Sequence, residues 1–339
     1  ALAHFRASLL IDEQNVDYLH MYGIACLHTD ATEDAIKTLE RALALDPRRA
    51  DVYVTYAEAL EIAGKRDEAI QNLQEAVRLD DTNVSYKVKL GSMLRRYGEY
   101  QDAEDLLLKC TDDHPESAQA HSELGMLYMD LGLQEKALRH HEIACSLDDR
   151  SPEYKYRMAL ALIHLKRYAE AIDTILTAIQ ANPEAAEYYH ALGRAHMGLS
   201  QYEEAVQAFE KAVRIAPSVA QYHRDLGIAY RTISEYGAAC QEIEEAVRIS
   251  PDVAAWYNDL GICYERRGWL HEAVQAFEKA IELQPGEPVY LSNAGNVLRQ
   301  QRKHDLALQH LQKAIELDSN FAEPYHQMAL VMQDMGRFD

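Results

Sequence analysis

Apolar positions recur along this chain with two periods at once. In the stretch 254–287, Tyr257, Leu260, Gly261 and Tyr264 fall at helical spacing, and so do Ala273, Phe277 and Ala280 further on. The same stripes return every 34 residues. QAFEKAVRIAP (207–217) and QAFEKAIELQP (275–285) share seven of eleven letters and start 68 residues, two periods, apart. One column reads Pro47, Asp81, Pro115, Asp149, Pro183, Pro217, Pro251 and Pro285. A second is alanine from Ala1 through Ala35 and every 34th residue to Ala307. A third is Gly or Ala from Gly23 to Ala329, and a fourth holds small residues from Ala42 to Ala314. Each unit is therefore predicted to be two helices, A then B, of about 14 residues and ~20 Å each. A short turn such as Tyr97-Gly98-Glu99 or Arg267-Gly268 joins them. Proline follows helix B, where its missing N–H does no harm.

A lone helix pair cannot bury both of its apolar stripes, so the units must stack into a solenoid with one continuous core. A coiled coil would repeat every seven residues and would not need small residues at fixed columns. With the proline column numbered 32, nine contiguous units run 16–49, 50–83, 84–117, 118–151, 152–185, 186–219, 220–253, 254–287 and 288–321. Residues 1–15 fit helix B alone, with Ala1 and Phe5 in place, and 322–339 fit helix A alone, with Met328, Ala329 and Met332 in place. Both ends are thus expected to fall inside a unit, and the chain to be a segment of a longer protein. Lys166, Ser200, Ser234 and Arg302 stand where other units have the turn glycine. His141 occupies a large apolar position of helix B, and His196 one of helix A.

Charge narrows the function. The net charge of −21 and pI near 5.1 argue against nucleic acid and anionic membranes as partners, both of which need a basic face. No apolar run approaches a membrane span. Five scattered cysteines without a C-x-x-C motif lead us to expect reduced thiols and a cytoplasmic setting. None of the 15 histidines lies three or four residues from another, so no helix presents a ligand pair. There is no glycine-rich phosphate loop, His-Glu-x-x-His motif or nucleophile elbow. We expect no cofactor, no metal and no catalysis within this chain.

The pattern closely resembles the tetratricopeptide repeat. The best-matching unit is Trp256-Tyr257-Asn258-Asp259-Leu260-Gly261-Ile262-Cys263-Tyr264, then Ala273, Phe277, Ala280 and Pro285. The resemblance covers essentially the whole chain. It implies an all-α, right-handed superhelix of antiparallel helix pairs, whose inner groove is lined by A helices and binds peptides. Positions 2, 5, 6, 9, 12 and 13 would form that lining, opposite the buried stripe. Position 9 reads Ile24, Glu58, Ser92, Met126, Leu160, Arg194, Ile228, Ile262, Asn296 and Leu330, with Met129, Ile163 and Met197 around it. Half-exposed apolar residues, several of them Met, suit a surface that accepts a partner segment; they also suit packing between neighbouring A helices. Tyr156, His190 and Asn258, at position 5, belong to the same stripe.

That stripe also carries Lys89, Arg95, Arg96, Arg157, Arg194, Arg224, Arg231, Arg266 and Arg299. Guanidinium forks hold carboxylates in two-pronged pairs, so an extended acidic segment or a C-terminal peptide is the expected ligand. Asp225, Asp259 and Glu265 lie close enough in sequence to make ordinary surface pairs instead. The first units differ, with Asp51, Glu58 and Glu61 giving an acidic stretch. The carboxylate clamp of chaperone-binding family members is absent, because Asn293 and Asn296 share one unit and lack the neighbouring lysines. The asparagine row of the O-linked N-acetylglucosamine transferase array is absent too. The resulting expectation is a scaffold that binds a protein or peptide. The alternatives are a substrate-recruiting arm of a larger enzyme, such as a glycosyltransferase or protease, and end-to-end self-association through uncapped termini.

Overall fold

A computed structural model describes residues 2–337, and every element among them is an α-helix or a turn. The chain divides into two units, Ala1–Leu165 and Lys166–Asp339. The first holds α1 (Leu2–Ile11), α2 (Val16–Leu27), α3 (Thr32–Leu45), α4 (Ala50–Ile62), α5 (Arg66–Leu79), α6 (Val84–Arg96), α7 (Tyr100–Asp113), α8 (Ala118–Asp130), α9 (Gln134–Leu147) and α10 (Pro152–His164). The second holds α11 (Tyr168–Ala181), α12 (Ala186–Gly198), α13 (Tyr202–Ile215), α14 (Ala220–Thr232), α15 (Tyr236–Ile249), α16 (Ala254–Arg267), α17 (Leu270–Leu283), α18 (Pro288–Gln300), α19 (His304–Leu317) and α20 (Ala322–Asp334). The all-α reading of the sequence is borne out, with A helices mostly of 13 residues and B helices, α1 apart, of 14. Ala1, the first member of the alanine column, and residues 338–339 lie outside the described residues.

Within each unit consecutive helices pack pairwise. Within the first unit α2 also touches α4, α6 touches α8 and α8 touches α10; within the second, α14 touches α16, which touches α18, which touches α20. The A helices therefore form one layer in each unit and the B helices the other.

Inside a pair, the small residue at position 8 meets the large one at position 24, sixteen residues on. A β-carbon added to Gly261 would sit 2.6 Å from the ring of Phe277, and one on Gly193 would sit 2.6 Å from Phe209. Leu39, Leu107 and Leu311 fill the same slot against Gly23, Gly91 and Gly295. Each ring or leucine is fully buried or nearly so, worth about 2–3 kcal/mol of apolar burial. His141 takes this slot against Gly125 and is completely buried, with no hydrogen bond at either ring nitrogen. Above the slot, the hydroxyls of Tyr128, Tyr230 and Tyr264 at position 11 donate to Glu104, Glu210 and Glu244 of the preceding B helix.

The A–B turn needs one left-handed residue at position 15. Gly64, Gly98, Gly132 and Gly268 supply it with φ of 70–83°. Lys166, Ser200, Ser234 and Arg302 adopt it too, with φ of 58–66°, as does Asp30. The sequence departures at this column thus change the residue and not the turn. An L side chain there costs roughly 1–2 kcal/mol.

Two outcomes follow for urea denaturation. Gly261→Ala is expected to lower stability by about 1–3 kcal/mol, because Phe277 has nowhere to move, whereas Gly286→Ala, with open space around it, is expected to change it little. Ser234→Gly is expected to raise stability by roughly 0.5–1 kcal/mol by relieving the left-handed serine.

Candidate functional site

The exposed side of each A layer is built by pairs of side chains 35 residues apart. One period carries the chain to the equivalent position of the next A helix, and one further residue is level with the first. Position 5 thus meets position 6 of the next unit, and position 12 meets position 13. In the first unit His20 bonds Thr55 at 2.8 Å and Arg157 Nη1 donates to Ser122 Oγ at 3.2 Å. Arg95 Nη1 donates to Asp130 at 2.5 Å and Arg96 Nη2 to Glu61 at 2.7 Å. In the second unit His190 bonds Asp225 at 2.7 Å, Arg224 Nε donates to Asp259 at 2.8 Å, and Asn293 Nδ2 donates to Asn258 at 2.7 Å. Arg299 Nη1 donates to Asp334 at 2.9 Å and Gln300 Nε2 to Glu265 at 2.6 Å. These are two parallel polar rows, and position 9 lies between them.

Two carboxylates of this face, Glu123 and Asp259, are more buried than their cations. Glu123 is 8% exposed and is held by Arg95 Nε at 2.9 Å and Arg157 Nη1 at 3.4 Å. Asp259, 11% exposed, faces Arg224 at 2.8 Å and Arg231 at 3.7 Å. Asp225 takes His190 on one oxygen and Arg224, at 3.2 Å, on the other. Burial pushes the Asp225 pKa up, but hydrogen bonds from His190 and Gln221 outweigh it and hold the carboxyl below its ordinary range. Burial likewise lowers the Arg95 pKa, and Asp130 and Glu123 more than restore it.

The residues singled out from sequence therefore divide. Arg157, Arg224, Arg231 and Arg299 are engaged by carboxylates of the chain itself. So are Arg95, Arg96 and Lys89. No carboxylate of the described residues lies within 4 Å of Arg194 or Arg266. Arg194 is half-buried and Arg266 exposed. The acidic first units are not bare either: Glu58 pairs with Lys89, Glu61 with Arg96, and Asp51 with Arg49 at 2.8 Å. Glu58, Glu61, Lys89, Ser92 and Arg96 line a shallow cavity of about 170 Å³ over Leu73 and Met93.

All ten position-9 residues are half-buried, neither core nor free surface. Ile262 packs against the cluster around Val297 and Leu298, and Met197 against the one around Phe209 and Leu226. Met126, Met129, Tyr156 and Leu160 are half-buried in the first unit, as are His190, Ile228, Asn258 and Asn296 in the second. Asn296 Nδ2 donates to Glu265 at 2.8 Å, joining the amide cluster of Asn258, Asn293 and Gln300. Reading columns hid the acceptors Asp130 and Asp334, which reading the 34-residue period one residue off register would have found; Glu123 lies 28 residues from Arg95 and 34 from Arg157.

Asp259→Ala strands two guanidiniums and is expected to cost about 1–3 kcal/mol. Adding Arg224→Met is expected to recover part of that loss, and a urea-denaturation double-mutant cycle measures the coupling.

Comparison with known proteins agrees with this construction. Residues 11–188 match the family described as the tetratricopeptide repeat protein 21 C-terminal ARM domain. Residues 190–254, 254–287 and 295–336 match tetratricopeptide repeat families. No curated protein sequence matches the chain. Among solved structures, the APC/C hetero-tetramer Cut9-Hcn1 is similar at a TM-score of 0.61 and 14% identity, over 98% of this chain and 81% of that one. A tetratricopeptide repeat protein from Parabacteroides merdae is similar at 0.56 and 19% identity, over 72% of this chain and 97% of that one. At these identities the likeness is one of fold. The match over 11–188 alone spans more than half of the chain, and it places this protein in the tetratricopeptide repeat family.

Proposed function

We propose that this chain is a protein-interaction scaffold and that the A-helix face of the Lys166–Asp339 unit holds an extended peptide segment of its partner. One observation carries the reading: half-buried Ile228 and Ile262 run between two rows of side chains that already satisfy one another. An extended segment laid along this strip can bury alternate apolar side chains on the isoleucines. Its backbone amides can reach the outer lone pairs and N–H groups of the rows without displacing the internal bonds. The face is also preorganised, which lowers the ordering cost of binding.

Charge sets the preferred segment. The rows neutralise most of their own ions; Arg194 and Arg266 have no carboxylate partner, while the Glu265 carboxylate is held by the amides of Asn296 and Gln300. An acidic side chain beside an apolar one is the complementary pattern. In a chain of net charge −21, such local cations also set the register of the ligand. The Met126, Met129, Tyr156 and Leu160 strip of the Ala1–Leu165 unit offers a second surface of the same kind.

The test is selection of peptides from a displayed library on the intact chain, followed by titration of the enriched peptides. Ile228→Asp and Arg194→Glu, each checked for unchanged helix content by circular dichroism, are expected to weaken binding at least tenfold. Affinities within twofold of the parent for both folded variants would remove this face from the account.

A further inference from the structure

Three histidines meet in the α8–α9 pair. His141 fills the slot against Gly125 that Phe209 and Phe277 fill in other units, is 0% exposed, and has no hydrogen-bond partner at Nδ1 or Nε2. Beside it, His121 Nδ1 of α8 lies 3.1 Å from His140 Nδ1 of α9, with the two rings stacked at 5.3 Å. His121 Nε2 lies 3.3 Å from the Pro115 carbonyl oxygen, which can only accept. The Nε2 therefore carries the hydrogen, His121 Nδ1 is the acceptor, and His140 Nδ1–H is the donor. This bond joins the two helices, and it is lost once both rings are protonated, because neither Nδ1 can then accept.

We propose that the α8–α9 pair is an acid-triggered joint: proton uptake by this histidine cluster opens it while the rest of the array stays folded. Protons on both His121 and His140 set two N–H groups head to head. A proton on His141 places an imidazolium in an apolar slot with nothing to accept from it. The surroundings offer no relief. From α7, Glu104 accepts from the Tyr128 hydroxyl. From α8, the Tyr128 ring lies tilted against His140, and Glu123 is held by Arg95 and Arg157. From α9 comes Lys136 and from α10 Arg157, both cations that disfavour a further positive charge.

Burial is the main cause that drives the pKa of His140 down to about 4 and of His141 down to about 3, and it lowers His121 as well. In the unfolded pair these groups titrate near 6.5. A folded pKa below the unfolded one means that the open pair binds more protons. Stability is then full above about pH 6.5 and is lost as pH falls toward 4.

The fold contains its own control. His223 and Glu242 occupy the same two positions, three units on, as His121 and His140. His223 Nε2 lies 2.9 Å from the Pro217 carbonyl oxygen and Nδ1 lies 2.7 Å from the Glu242 carboxylate, so both ring nitrogens face acceptors. That pair is therefore joined through a carboxylate where the α8–α9 pair has a second imidazole.

Hydrogen–deuterium exchange of the intact chain at pH 7.5 and pH 5.0, corrected for intrinsic rates, tests the proposal. Protection over 118–147 is expected to fall at least tenfold at pH 5.0, while 220–249 changes less than threefold. His141→Phe combined with His140→Gln is expected to abolish the difference. If that double variant folds poorly at pH 7.5, His141→Leu alone, using the residue other units place there, is expected to reduce the difference. Equal protection of 118–147 at both pH values overturns the proposal. So does loss spread evenly over all helices, or an undiminished difference in both variants.

Discussion

Everything in this chain rests on how closely helix A approaches helix B. At position 8 the backbone of A lies against a large side chain from position 24 of B, with no room for a β-carbon at Gly193, Gly261 or Gly295. That single contact sets the distance and rotation within each pair. It directs positions 4, 7, 8 and 11 inward and turns positions 5, 6, 9, 12 and 13 out as one continuous face. A wider approach would open voids at Phe209 and Phe277, and a dense core tolerates few of them.

The outward face then organises itself. Because successive A helices sit side by side, residues 35 apart become neighbours, and the chain has matched them as donor and acceptor. Carboxylates such as Asp259 and Glu123 are too buried to stand alone, and arginines of the cationic stripe are the groups that satisfy them. The consequence for function is selective. A groove of bare arginines would attract any acidic chain. In the proposed binding mode, a face whose arginines are mostly engaged leaves the isoleucine strip and two cations to decide what fits.

The repeat, its register and its helix pairs were legible from sequence because small residues at fixed columns report backbone contact directly. The turn departures were legible as positions but not as conformations, since φ at Ser234 or Lys166 is dictated by the helices on either side. Position 4 was less transparent. It holds half-buried Tyr53, Tyr189 and Tyr257 in some units, yet Lys87 there is buried, its ammonium 3.9 Å from Asp113, and His121 and His223 bond the preceding prolines' carbonyls. A polar letter in an apolar column does not name its partner, and only the three-dimensional structure shows how it is accommodated. The cationic stripe was misleading for a related reason: column reading lists charges of one unit after another, while their partners lie on the diagonal.

The proposed place of the partner segment is the A-helix face, between its two polar rows. The most direct measurement places a photo-crosslinking amino acid at Ile262 on that face or at Glu278 on the exposed side of α17, and maps the adducts with a library-selected peptide by mass spectrometry. The account predicts adducts from position 262 and few from 278. Adducts mainly from 278, or equally from both, would contradict it.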